Sequence, residues 1–128
     1  MAIDKSMNVL IVDDYKTMLR IIRNLLKQIE FNNVEEATDG AEALSKLRGG
    51  NFGLVISDWN MQPMTGLDLL KEVRADARLK STPFIMITAV SKTENVFPAK
   101  QAGVSNYIVK PFNAETLRDK IEKVLAHA

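Results

Sequence analysis

Residues 9–14 read Val-Leu-Ile-Val-Asp-Asp, four apolar residues stopped by two carboxylates. So short an apolar run without alternation reads as a strand covered by helices on both faces, as in a parallel sheet. The same form returns at Leu54 to Ser57, followed by Asp58, and at Phe84 to Thr88. Weaker runs at Val34 to Ala37 and Tyr107 to Val109 complete a set of five. Longer segments of helical period separate them, so strands and helices alternate as βα units, five of each.

The segment after the first strand carries the plainest helical signal. Met18, Ile21, Ile22, Leu25, Leu26 and Ile29 recur at helical spacing, opposite Lys16, Arg20, Arg23, Asn24 and Lys27. Asp39 to Glu42, Thr65 to Asp68 and Ser91 to Glu94 each have the form of a capping box, and Asn113 suits an N-cap before Leu117, Ile121, Val124 and Leu125. Gly103 suits a left-handed cap after the fourth helical segment. Pro98 falls inside that segment, which predicts a short or kinked helix there.

Composition narrows the function classes. With 128 residues, and about 100 to 200 typical of one domain, the chain reads as a single unit over residues 1–128 with no effector domain. No linker or repeat interrupts it, and it is long enough to fold without a staple. It has no Cys, which excludes a thiolate zinc site and a Cys nucleophile. The 17 Lys and Arg against 16 Asp and Glu leave +1, too little for a global field that steers a protein to nucleic acid or an anionic membrane. Asp13 ends the first apolar run far short of a signal-peptide core or of the ~20 residues that span a bilayer. The expectation is a cytoplasmic monomer with neither a nucleic-acid nor a membrane partner.

In an open parallel α/β sheet, ligands sit beyond the carboxyl ends of the strands. Asp13 and Asp14 follow the first run, Asp58 follows the third, Thr88 closes the fourth, and Lys110 follows the fifth just before Pro111. Singly, each has a plain reading: a helix cap, a β-branched strand residue, a solvated charge. Together, three carboxylates at one crevice repel and raise their own pKa values unless something positive sits among them. A divalent cation and the Lys110 ammonium meet that need. Oxygen donors, without Cys and with His only at position 127, favour a hard ion such as Mg²⁺ over zinc. Mg²⁺ keeps open positions for a phosphate, so the pattern points to phosphoryl chemistry.

Asp13-Asp14, Asp58, Thr88-Ala89 and Lys110-Pro111 resemble, in order and spacing, the motifs of the receiver domains of two-component response regulators. Asn24 to Lys27, Phe31 to Ala37, Val55 to Met61, and Tyr107 before Lys110-Pro111-Phe112 extend the likeness towards that family's single-domain chemotaxis members. The resemblance implies a flavodoxin-like, doubly wound, three-layer αβα fold with five strands in the order 2-1-3-4-5 and five helices. It implies that Asp58 accepts a phosphoryl group from a histidine kinase. Mg²⁺ would be held by Asp14, Asp58 and the Asn60 carbonyl, with Asp13 acting through water. Lys110 would neutralise the phosphoryl oxygens, Thr88 would donate its hydroxyl, and Tyr107, expected beside Thr88, would turn inward on activation. The chain would be a switch that catalyses only its own phosphorylation and dephosphorylation.

The family's output face, helix four with strand five and helix five, would here include Lys92, Val96, Tyr107 and Lys120 and would dock a flagellar motor switch protein or another target; a phosphatase is a further expected partner. Pro98 and Phe97 depart from the pattern beside that face. Val90 stands where an acid is familiar and is expected to alter the rate of self-dephosphorylation, whereas Thr65 reads as a helix cap. A stand-alone receiver outside chemotaxis, serving as a phosphorelay intermediate or phosphate sink, is the alternative. An aspartyl-phosphate phosphohydrolase is more distant, because Asn60 lacks the acid-base function that turnover requires. A flavin carrier is disfavoured by the clustered acids. Trp59 reads as a partly exposed reporter beside the site, the methionines as filler, His127 as no phosphodonor, and Arg74 with Arg78 as a solvated face.

Overall fold

The computed structural model describes residues 5–61, 64–89, 96–110 and 112–126. Strand β1 (Val9–Val12) is buried at every position. It pairs in parallel with β2 (Val34–Ala37) on one side and β3 (Leu54–Asp58) on the other. Strand β4 (Phe84–Ala89) continues the sheet and β5 (Asn106–Lys110) ends it, giving five parallel strands in the order β2-β1-β3-β4-β5. This is the flavodoxin-like α/β arrangement that the resemblance implied, and each strand lies within a residue of its sequence reading.

The pleat sorts alternate residues into two cores. Val9, Ile11, Ile56 and Ile87 face α1 (Lys16–Gln28) and α5 (Ala114–Ala126), while Leu10, Val12, Val55 and Met86 face α2 (Gly40–Gly49) and α3 (Gly66–Ala75). Five helices were expected; the described residues contain four of ten residues or more and a six-residue piece, α4 (Val96–Gln101). Pro98 shapes that piece. It stands in the first turn of α4, where its missing N–H has no intrahelical acceptor to lose, and its carbonyl accepts from Ala102 N–H at 3.0 Å. Gly103 follows at φ +92°, the left-handed cap expected. The Ser91 to Glu94 box, Val90, Lys92, Pro111 and His127 lie outside the described residues, as do the side chains of Val96 and Phe97.

On α1 the buried stripe is rotated from its sequence reading. Leu19, Ile22 and Leu26 are fully buried, whereas Ile21 is 45% exposed. The helix ends in a Schellman motif: Phe31 N–H donates to the Leu26 carbonyl and Glu30 N–H to that of Lys27, with Glu30 itself at φ +74°.

Thr65 caps α3 with a complete box, and Asn113 accepts from Thr116 N–H ahead of α5. Asp39 caps α2, but Glu42 reaches past it to Thr38 N–H, so that box is open on one side. Arg74 is no solvated face. Its half-buried guanidinium donates to the carbonyls of Gly103 (2.8 Å), Thr82 (2.6 Å) and Lys80 (3.0 Å). Arg78 likewise donates to the Arg48 carbonyl. Among the described residues, no helix is long and apolar enough to cross a membrane.

A Cβ on Gly66 would overlap the Asp58 carbonyl oxygen and lie 3.0 Å from Trp59 Cα, whereas one on Gly49 would meet nothing within 4 Å. Gly66→Ala is expected to lower stability by about 1–3 kcal/mol, and Gly49→Ala to be neutral or stabilising; urea denaturation checks both. Glu30→Gly relieves a left-handed non-glycine residue and is expected to add about 0.5–1 kcal/mol in the same assay.

Candidate functional site

Parallel pairing in register brings the carboxyl ends of the central strands to one edge. Asp13 and Asp14 leave β1 there, its position fixed by the Asp13 N–H bond to the Ala37 carbonyl at 3.1 Å. Asp58 is the last residue of β3, and Trp59 N–H donates to the Ile87 carbonyl at 3.0 Å. Lys110 ends β5. The buried polar side chains described are Asp13, Ser57, Asp58 and Thr88, all at or next to this edge. Burying polar groups is costly, so their concentration at one edge marks it as the working end of the molecule.

One carboxylate oxygen each from Asp13, Asp14 and Asp58 lies within 4.8 Å of the others. Lys110 Nζ donates to Asp58 Oδ1 at 2.9 Å. Asp13 Oδ1 accepts from Tyr15 N–H at 2.9 Å, while Asp13 Oδ2 is buried without a protein partner. Burial pushes the Asp13 carboxyl from 3.8 up to about 6; the charges of Asp58 and Asp14 add to the rise, and the Tyr15 N–H and Lys110 oppose it. An orphaned buried oxygen beside two more carboxylates is a donor set of the kind that holds a hard divalent cation. The residues therefore fit Mg²⁺.

Asp14, Asn60, Met61 and Thr65 line a shallow pocket beside the cluster. Thr88 is 3% exposed on the neighbouring strand. Trp59 is partly buried against the core of α2 and α3, as its reading as a reporter requires. Tyr107 pairs with Met86, and Val109 with Thr88, so Tyr107 lies one step of the pleat from its expected place beside Thr88, on the same face. Lys120 reaches Tyr107 from α5.

Three contributors were missed by reading the sequence. Ser57 Oγ donates to the Asp58 carbonyl at 3.0 Å, Tyr15 supplies the N–H for Asp13, and Gly66 lets α3 start against the backbone of Asp58 and Trp59. Tyr15 acts through its main-chain N–H and the Ser57 hydroxyl acts on a main-chain carbonyl, and main-chain partners leave no mark in residue type. A glycine directly after a capping threonine was the available signal for the third.

A carboxyl whose pKa is raised by folding binds its proton more tightly in the native state. Stability therefore falls as pH rises through the interval from about 4 to 6 and levels off above it. For the chelator-treated protein the Asp13 contribution falls by roughly 1.4 kcal/mol between about pH 5 and pH 7.5. Asp13→Asn is expected to remove that slope, read from urea midpoints at the two pH values.

The sequence pattern of the response regulator receiver domain matches residues 9–122. Chemotaxis protein CheY-3 of Vibrio cholerae is 53% identical over 122 residues, covering 95% of this chain and 94% of that protein. Chemotaxis protein CheY of Pseudomonas aeruginosa is 54% identical over 118 residues, covering 92% and 95%. The solved structure of chemotaxis response regulator CheY4 of Vibrio cholerae matches with a TM-score of 0.86 and 38% identity, covering 94% of this chain and 99% of that one.

Proposed function

The chain belongs to the response regulator receiver domains, and on that premise we propose that it is a chemotaxis switch that accepts a phosphoryl group on Asp58 from a histidine kinase in a Mg²⁺-dependent reaction. The observation that carries the reading is the Asp58 carboxylate, 5% exposed, paired with Lys110 at 2.9 Å and gathered with Asp13 and Asp14 at the carboxyl edge of the sheet. CheY-like receivers are signalling switches, and its resemblance to chemotaxis proteins extends over nearly the whole chain.

In this reading Asp14 and Asp58, with the Asn60 carbonyl, hold the metal, and Asp13 acts on it mainly through water. When bound, Mg²⁺ supplies positive charge to the phosphoryl oxygens and to the carboxylates that crowd them. An Asp58 oxygen attacks phosphorus as the P–N bond of the donor phosphohistidine breaks, and the imidazole leaves with that electron pair. Lys110, already on Asp58, neutralises charge on the transferred group, and the Thr88 hydroxyl donates to one of its oxygens. Positioning and charge neutralisation carry most of the work in phosphoryl transfer. Hydrogen bonds to charged groups contribute about 1.5–3 kcal/mol each. Two or three such contacts reach the ~5.5 kcal/mol that drives a two-state equilibrium from 1:99 to 99:1. The output is a contact with a flagellar motor switch protein or another protein target, made by the face of α4, β5 and α5.

The test is a titration with Mg²⁺ and then beryllofluoride, a phosphoryl mimic, followed by Trp59 fluorescence. A saturable response is expected. Asp58→Asn should abolish the beryllofluoride response and incorporation of label from a small acyl phosphate. Lys110→Ala, which removes one charged hydrogen bond, should weaken beryllofluoride binding by roughly 10- to 150-fold. A folded protein that responds to neither ligand overturns the reading.

A further inference from the structure

A three-residue junction on the β5 and α5 side is not accounted for by the phosphoryl site. Lys120 Nζ stands 5.0 Å from the centroid of the Tyr107 ring. The same ammonium donates to Asn106 Oδ1 at 3.3 Å, and that oxygen also accepts the Tyr107 backbone N–H at 2.8 Å. One amide oxygen thus ties the cation to the backbone of the residue whose ring it covers. Lys120 forms no ion pair with a carboxylate among the described residues, so among them the ring and the Asn106 amide are the groups that meet its charge. A cation over an aromatic face is attracted by the ring quadrupole.

We propose that Lys120 is a positioning residue for Tyr107: its ammonium, pinned by Asn106, holds the ring in its half-buried place and opposes its turning towards Thr88. The inference rests on the phosphoacceptor reading of Asp58 and adds to it the element that sets the resting bias. Thr88 lies one pleat step beyond Met86, the β4 partner of Tyr107. A ring that moves towards the Thr88 hydroxyl would leave the ammonium that Asn106 holds in place. Any ligand that favours the turned ring works against the Lys120 contact, and removal of the cation makes that ligand bind more tightly.

Beryllofluoride titrations in Mg²⁺, read by Trp59 fluorescence, test this in five proteins. Lys120→Met keeps the aliphatic stem and loses the charge; its half-saturation concentration is expected to fall about two- to fivefold, as an exposed cation–π contact predicts. Lys120→Arg keeps a cation over the ring and should match the original protein. In a Tyr107→Leu background, Lys120→Met should produce no shift. Proton NMR checks the resting contact without any ligand: the Lys120 ε-methylene should be displaced upfield by the ring current and return to its ordinary position in Tyr107→Leu. The proposal is overturned by unchanged affinity in Lys120→Met, by an equal shift without the tyrosine, by Lys120→Arg behaving as Lys120→Met, or by an undisplaced ε-methylene. Absence of any beryllofluoride response in the original protein instead overturns the phosphoacceptor reading, and this proposal with it.

Discussion

Three carboxylates held within 4.8 Å of one another, with one ammonium at 2.9 Å from one of them, are the constraint to which the rest of the molecule answers. Like charges at that spacing push apart, and in a setting where Asp13 and Asp58 are almost fully buried water does little to screen them. Burial first, and the neighbouring carboxylates after it, make the Asp13 carboxyl hold its proton to about pH 6. An arrangement so unfavourable in itself persists only when the backbone beneath it cannot yield. Here β1 and β3 are buried at every position, and each is paired on both sides by parallel strands.

The sheet supplies more than rigidity. Parallel strands in register all present their carboxyl ends to the same side, so residues far apart in the chain meet without any long loop having to be ordered. The capped start of α3 closes the arrangement from one flank. Gly66 gives that helix room to begin against the carbonyl of Asp58, and the Thr65 box fixes its first turn.

The first, third and fourth strands were legible as short apolar runs bounded by polar residues, the second and fifth as weaker runs between helical segments, and the convergence of Asp13, Asp14, Asp58, Thr88 and Lys110 follows from placing those runs in one sheet. Distances were not legible. Residue type brings Lys110 to the right edge, but only the pairing of Ala89 with Lys110 and of Asp58 with Ile87 sets the ammonium against Asp58. Tyr107 shows the same limit, since a shift of two residues along β5 moves it from Thr88 to Met86. On α1, apolar residues at 18, 19, 21, 22, 25, 26 and 29 make a stripe wide enough to be centred in more than one way. Packing against α5 and the sheet chose Leu19 over Ile21. Arg74 was misread for a different reason: its partners are carbonyls, and main-chain oxygens are invisible in a sequence.

That arginine separates two kinds of fastening in one small molecule. At the carboxyl edge the contacts are between ionisable side chains, Lys110 with Asp58 beside Asp13 and Asp14. At the opposite end Arg74 joins Lys80 and Thr82 to Gly103 through main-chain oxygens, which carry no proton to gain or lose, using a guanidinium that stays charged wherever the fold survives. The fastening at one end of the molecule is thereby insulated from the proton chemistry of the other.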